Sequence, residues 1–271
     1  GWTAPVDGAA SYQVVVSSTV PGATGTGTFA APTTSLPLTG LTPNPLYTFA
    51  VTAVNTASGT STPVEISLPT LADPPTTLTA SPIGATSLTL SWTPPSGTAL
   101  TGYSLLVTST GTGTGTFPVG VASTVVVPNL TPNTAYTFAL TAINASGNSA
   151  SAASTTATTL PNPPTALVAS GITTTSMVLG WTAPAPGGSP NYSLVISGGA
   201  GAGTIPLGAV TTYTAAGLDP NTTYTFSLTA VNATGASSPA TLIKSTKPNA
   251  PGTPTASTIG TTSVALNWST V

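Results

Sequence analysis

The chain repeats itself about every 89 residues, and that period restricts its fold more than any single motif does. Leu41-Thr42-Pro43-Asn44-Pro45-Leu46-Tyr47 returns as Leu130-Thr131-Pro132-Asn133-Thr134-Ala135-Tyr136, and again as Leu218-Asp219-Pro220-Asn221-Thr222-Thr223-Tyr224. The steps between the tyrosines are 136 − 47 = 89 and 224 − 136 = 88. Trp2, Trp92, Trp181 and Trp268 run in step with them at intervals of 90, 89 and 87, and Tyr12, Tyr103 and Tyr192 each follow a tryptophan by about ten residues. A fixed period of this length marks an array of like folded units. Roughly 90 residues is enough for each unit to bury a core of its own.

Within each repeat the apolar residues alternate. Tyr47-Thr-Phe-Ala-Val-Thr-Ala-Val-Asn55, Tyr136-Thr-Phe-Ala-Leu-Thr-Ala-Ile-Asn144 and Tyr224-Thr-Phe-Ser-Leu-Thr-Ala-Val-Asn232 have a period of two, which predicts strands. Tyr136, Phe138, Leu140 and Ala142 should face a core, with Thr137 and Thr141 outward, and Asn144-Ala-Ser-Gly147 should turn the chain. Ser87–Trp92 and Ser176–Trp181 alternate toward a buried tryptophan, and Gly102–Thr108 and Asn191–Ser197 are further strands. No stretch combines helical periodicity with helical composition, and abundant Thr, Val, Pro and Gly oppose helices. Ala72-Asp-Pro-Pro75, Pro161-Asn-Pro-Pro164 and Pro248-Asn-Ala-Pro251 mark boundaries, short and stiffened by proline.

Composition narrows the function. Only 2% of residues are charged, against about 25% in ordinary globular proteins. There is no Arg, His or Cys; Lys244 and Lys247 are the only cations, and Asp7, Glu65, Asp73 and Asp219 the only anions. Nucleic acid would find no basic surface to hold it. No segment has 18 consecutive apolar residues, so no stretch of this sequence reads as a membrane-spanning helix; no signal peptide is visible, which carries no information because the sequence starts partway through a repeat.

The landmarks together resemble the fibronectin type III family. They are a Trp ending the second strand, a Tyr in the third, Leu-x-Pro-x-x-x-Tyr before the sixth, and Ala-Val-Asn-x-x-Gly-x-Ser after it. The resemblance covers nearly the whole chain. It implies an all-β array of tandem seven-stranded Greek-key sandwiches. It also implies that the tryptophans fill the cores, and that Tyr47, Tyr136 and Tyr224 close the turn between sheets by bonding their phenols to nearby backbone. On that reading residues 1–71 form a partial domain lacking its first strand and most of its second. Residues 72–160 and 161–248 are complete domains, and 249–271 supply the first two strands of another. Two strands cannot bury a sandwich core, and a five-strand remnant leaves core and edge open. Either the natural chain continues both ways, which is the favoured expectation, or the tail of one copy completes the head of the next by strand donation.

No catalytic, cofactor-binding or metal-ligating residues are expected. Glycoside hydrolysis needs two facing carboxylates, and the four acids are scattered over linkers, turns and separate repeats. Serine chemistry lacks a His, and no Ser-x-x-Lys motif surrounds the lysines. Zinc lacks its ligand types, and Asp73 alone does not make an interdomain calcium site. The runs Gly22–Gly27, Gly111–Thr116 and Gly198–Gly203 look superficially like phosphate cradles, but a dinucleotide loop needs a helix after it. They are expected instead in hairpins beside flat, weakly pinned edges. Sheets usually guard such edges with charge, which is scarce here, so surface sugar or burial against copies would have to do so. Sequons stand at Asn129, Asn144, Asn191, Asn221, Asn232 and Asn267, about as expected for so Ser/Thr-rich a chain. Arg-Gly-Asp is excluded by composition. Tyr213, the one tyrosine outside these ladders, is expected in ordinary strand packing.

The expected role is a non-catalytic stalk, fibre or surface decoration, extracellular or on a cell or virion surface. Its expected partners are copies of itself, neighbouring surface or capsid proteins, and glycans. Two alternatives are a spacer in a secreted polysaccharide-degrading enzyme and an extracellular ligand-binding module.

Overall fold

The structure is a computed structural model that describes residues 9–18, 25–30, 33–97, 99–185 and 190–269. Trp2, Asp7 and the opening of the Gly22–Gly27 run lie outside the described residues. Among the described residues every regular element is a β-strand.

The first repeat contributes β1 (Ser11–Ser18), β2 (Gly25–Ala30), β3 (Leu46–Asn55), β4 (Gly59–Thr60) and β5 (Val64–Pro69). They form one antiparallel sheet ordered β2-β1-β3-β4, with β5 also paired to β3. The second repeat contributes β6 (Thr76–Ile83), β7 (Leu88–Thr93), β8 (Leu100–Thr108), β9 (Gly115–Val119), β10 (Thr124–Val127), β11 (Ala135–Asn144), β12 (Gly147–Asn148) and β13 (Ala153–Thr158). Its sheets are β10-β7-β6 and β12-β11-β8-β9, with β13 on β11. The third repeat contributes β14 (Thr165–Ser170), β15 (Ser176–Thr182), β16 (Asn191–Ser197), β17 (Gly203–Leu207), β18 (Thr212–Ala216), β19 (Thr223–Val231) and β20 (Ala240–Ser245). They make the sheets β14-β15-β18 and β17-β16-β19-β20. β21 (Thr255–Ile259) and β22 (Val264–Asn267) then form a hairpin.

The chain divides into two compact units. One comprises Gly1–Pro82, Leu88–Val127 and Tyr136–Ala157, and the other Ile83–Ser87, Pro128–Ala135 and Thr158–Val271. In the first, Leu88, Leu90 and Trp92 of β7 are buried, as are Tyr103, Leu105 and Val107 of β8 and Tyr136, Phe138, Leu140 and Ala142 of β11. In the second, Met177, Leu179 and Trp181 of β15 share a core with Tyr192, Leu194 and Ile196 of β16 and Tyr224, Phe226, Leu228 and Ala230 of β19. The β16–β19 register sets Tyr192 opposite Ala230 and Ile196 opposite Phe226. Each large side chain so buried stabilises by about 1.5–3 kcal/mol. In the second and third repeats the tryptophan meets its tyrosine edge to face: the ring centroids are 5.1 Å apart for Trp92–Tyr103 and 5.4 Å for Trp181–Tyr192. Tyr213 packs half-buried against the third core, as ordinary strand packing predicts.

One tryptophan departs from the expectation that each centres a core. Trp268 is 60% exposed, and Val264 and Leu266 beside it are 55% exposed. The physical reason is that β21 and β22 pair only with each other, and a two-stranded ribbon offers no second layer to bury an indole. The first repeat shows the same effect in milder form. Phe49 and Val51 of β3 are half-buried where Phe138 and Leu140 are fully buried.

Candidate functional site

The side chains with the most specific polar geometry stand where consecutive repeats meet. They begin with an ordinary strand end. Asn144 closes β11, and its Oδ1 accepts from Ser146 N at 3.0 Å, making the Asx turn that its sequence calls for. That leaves the two Nδ2 hydrogens pointing away from the turn. They donate to Asn44 Oδ1 at 3.1 Å and to the Thr70 carbonyl at 2.7 Å, both in the preceding repeat. Ser146 Oγ donates to the Pro69 carbonyl at 2.5 Å. Asn44 is fully buried and Asn144 nearly so, and Asn44 Nδ2 donates to Ser96 O at 2.9 Å.

The next junction repeats the arrangement. Asn232 Oδ1 accepts from Thr234 N at 2.9 Å. Its Nδ2 donates to Asn133 Oδ1 at 2.9 Å and to the Thr159 carbonyl at 2.8 Å, and Thr234 Oγ1 donates to the Thr158 carbonyl at 2.8 Å. The first set lies wholly within the first compact unit and the second wholly within the second.

The acceptors are held rigidly. Asn44 and Asn133 have φ of 69° and 49°, in the left-handed region that asparagine tolerates better than most residues. Their amides donate to Leu71 O and Leu160 O, each at 3.1 Å. Thr70 Oγ1 donates to Thr42 O and Thr159 Oγ1 to Thr131 O, each at 2.7 Å, which fixes the carbonyls that the incoming carboxamide reads. Gly97 is part of the first site: a Cβ there would lie 2.9 Å from Asn44 Nδ2, and its φ is 96°.

The tyrosines behave as the resemblance implies. Tyr47 Oη accepts from Thr42 N at 2.9 Å, and Tyr224 Oη accepts from Asp219 N at 2.8 Å. Tyr136 Oη donates to Thr112 O at 2.6 Å and Tyr224 Oη to Ala200 O at 2.8 Å. Thr112 and Ala200 sit in the second and third glycine runs, in the hairpins between β8 and β9 and between β16 and β17. Those runs therefore bring a loop carbonyl down onto a phenol. A Cβ on Gly199 would fall 2.9 Å from Tyr224 Oη.

Asp219 accepts from Ala200 N at 2.7 Å and so braces that hairpin. Glu65, Asp73, Lys244 and Lys247 are exposed. Among the described residues no group of three His, Cys, Asp or Glu could hold a metal ion. No helix among them is long and apolar enough to cross a membrane. Asn144 and Asn232, two of the sequons, have their carboxamides committed to the junctions; sequence reading noticed them only as turn residues or glycan acceptors. The signal that could have found them is the recurrence of both asparagine series in step: 133 − 44 = 89 for the acceptors and 232 − 144 = 88 for the donors.

Burial raises the Tyr192 phenol above its ordinary value, and a hydrogen-bonding influence from Trp181 partly opposes this. Neither Tyr192 Oη nor Trp181 Nε1 completes a hydrogen bond of ordinary geometry. A folded-state value above the unfolded one means that the fold favours the neutral phenol. That stability is present below about pH 10 and lost as pH rises beyond it. Thermal melts should therefore be flat between about pH 5 and 9, insensitive to salt, and depressed above about pH 10. A pronounced salt or pH dependence near neutrality would contradict the expectation.

Against known proteins, the profile of the family described as "Fibronectin type III domain" matches residues 73–158 and 162–246. Endoglucanase B of Cellulomonas fimi is 33% identical over 169 residues, covering 58% of this chain and 16% of that protein. Receptor-type tyrosine-protein phosphatase eta of Gallus gallus is 30% identical over 276 residues, covering 98% of this chain and 19% of that protein. The chain thus spans less than a fifth of the length of either protein. A solved two fibronectin type III domain segment from chicken tenascin superposes with a TM-score of 0.47 at 23% identity, covering 64% of this chain and all of that one.

Proposed function

The chain belongs to the fibronectin type III family, and from that premise we propose that it is a non-catalytic structural array, a stalk, fibre or surface decoration working outside the cell or on a cell or virion surface. The observation that supports this best is the duplicated asparagine junction. Asn144 and Asn232 tie each complete repeat to the one before it through the same pair of acceptors. An array that transmits tension needs links that do not swivel freely, and short proline-stiffened connections with shared side-chain hydrogen bonds provide them. Its partners on this reading are copies of itself, neighbouring surface proteins and glycans.

A second reading, spacer domains of a secreted polysaccharide-degrading enzyme, is favoured by the similarity to an endoglucanase over 169 residues. Both readings make the segment itself catalytically silent.

Pulling single chains end to end tests the tension-carrying role. Each complete repeat should yield in one event that adds roughly 28 nm of contour, from about 3.6 Å per residue less the folded span. Two such events are expected per chain. Gradual lengthening without discrete events would defeat the proposal.

A further inference from the structure

Asp73–Pro74 and Asp219–Pro220 are the aspartyl–prolyl bonds of this sequence. Such a bond has an uncommon chemistry. The side-chain carboxyl can reach its own main-chain carbonyl carbon through a small ring. Proline nitrogen carries no hydrogen, so the competing ring closure through the following amide is blocked. The structure sets these bonds in opposite surroundings. Asp73 lies in the irregular stretch between β5 and β6 and is exposed. Its carboxylate enters no hydrogen bond or ion pair among the described residues. Asp219 is held at every polar group. Its carboxylate accepts from Ala200 N at 2.7 Å, its main-chain oxygen accepts from Thr246 Oγ1 at 2.6 Å, and its amide donates to Tyr224 Oη at 2.8 Å. Turning that carboxylate onto its own carbonyl would break the first of these bonds.

We propose that Asp73–Pro74 is an acid-labile scission site, at which the Asp73 carboxyl cuts the chain between the first and second repeats. A carboxyl oxygen of Asp73 attacks the carbon of its own main-chain carbonyl. The C–N bond to Pro74 breaks as the new C–O bond forms. The carboxyl proton ends on the departing proline nitrogen, which the acidic medium keeps protonated. The aspartyl end is left as a cyclic anhydride. Water is the co-reactant that opens it, giving Asp73 its side-chain carboxyl again and a new α-carboxyl beside it. Nothing is oxidised or reduced. Few titratable groups share this compact unit. Besides Asp73, the described ones are Glu65, exposed in β5, and the buried phenols of Tyr12, Tyr47, Tyr103 and Tyr136. No cation is among them to hold the carboxylate away from its carbonyl.

The bond sits between two fixed points. On one side Thr70 O accepts from Asn144 Nδ2 at 2.7 Å and Leu71 O from Asn44 N at 3.1 Å. On the other, Pro75 is buried at the start of the second repeat. The side chain of Asp73 projects between them with room to turn, and a cut there parts one repeat from the next without opening either core. The next linker lacks the reactive group. Its matching position, 162 − 73 = 89, is Asn162, which also precedes a proline. A carboxamide is a much poorer nucleophile in acid, and Asn162 Nδ2 donates to Ala185 O at 3.4 Å. In the third linker Asn249 precedes Ala250 instead. Of the three boundaries, the first alone carries the pair that cuts.

The test is intact-mass analysis of the full chain held at about pH 3 and, as a control, at about pH 7. So few groups titrate that acid should leave the fold in place, which circular dichroism checks alongside. In acid the wild type should give fragments 1–73 and 74–271, the second beginning at Pro74. Their summed mass should exceed the parent by one water. Asp219–Pro220 should be cut at least tenfold more slowly while the chain is folded. In guanidinium chloride at the same pH, where its hydrogen bonds are gone, it should be cut about as fast as Asp73–Pro74. Asp73→Asn, which installs the residue of the next linker, should slow the cut at least tenfold without moving the melting temperatures. A wild type cut at this bond no faster than Asp73→Asn overturns the proposal. So does an Asp219–Pro220 bond that breaks as readily in acid without denaturant as Asp73–Pro74 does.

Discussion

Phe226→Ala should melt the third repeat roughly 15–30 °C below its wild-type transition while the second repeat melts where it did. Phe226 is fully buried in β19, beside Tyr224 and opposite Ile196, and its removal leaves a cavity lined by side chains from both sheets. Phenylalanine-to-alanine changes in such positions cost about 3–5 kcal/mol. For a domain of this size each kcal/mol corresponds to about 4–8 °C. Differential scanning calorimetry should resolve two transitions in the variant. A shift under about 5 °C would mean that this side chain is not central to the core.

Asn144→Asp is the second large effect expected, and it acts on the junction rather than on a core. The substitution keeps the Oδ1 that caps the turn at Ser146 and exchanges the donor for a carboxylate oxygen. That oxygen would face two acceptors, Asn44 Oδ1 and the Thr70 carbonyl, in a site almost closed to water. Leaving buried acceptors unpaired costs about 1–3 kcal/mol each, and a buried unpaired charge adds to it. A loss of about 3–4 kcal/mol at pH 7 is therefore expected. The introduced acid would have its folded-state pKa raised by those neighbours, so its neutral form is the one the fold tolerates. The loss should shrink as pH falls below the raised value, because a protonated oxygen can donate again. Asn144→Ala should cost about 2–3 kcal/mol with no such recovery. Equal pH profiles for the two variants would show that the Nδ2 donor is not what holds the junction.

Much of this architecture is legible in the amino-acid order because a sandwich strand announces itself by alternation. Tyr136, Phe138, Leu140 and Ala142 alternate with Thr137, Ala139 and Thr141, and the structure buries the first set. The tryptophans at 92 and 181 are readable for the same reason, since each ends such a run. The fate of Trp268 depends on whether a second sheet faces its strand, and no local pattern encodes that. The junction asparagines were hidden differently. A turn asparagine uses only its oxygen locally, so sequence explains half of the side chain and gives no cue that the other half reaches into a neighbouring repeat. Asn-x-Ser and Asn-x-Thr also match a more familiar motif, and here the hydroxyl two residues on serves Pro69 O and Thr158 O instead.

That double identity matters to anyone producing the protein. A eukaryotic secretory pathway modifies sequons while the polypeptide is still unfolded. An oligosaccharide joined to Asn144 or Asn232 would leave one amide hydrogen where the junction uses two, and at Asn144 would put a bulky branched sugar into a nearly closed space. Material secreted from yeast or mammalian culture and material from a bacterial cytoplasm would then share every core contact yet differ in how tightly successive domains are tied. Stiffness measured on one preparation would not transfer to the other.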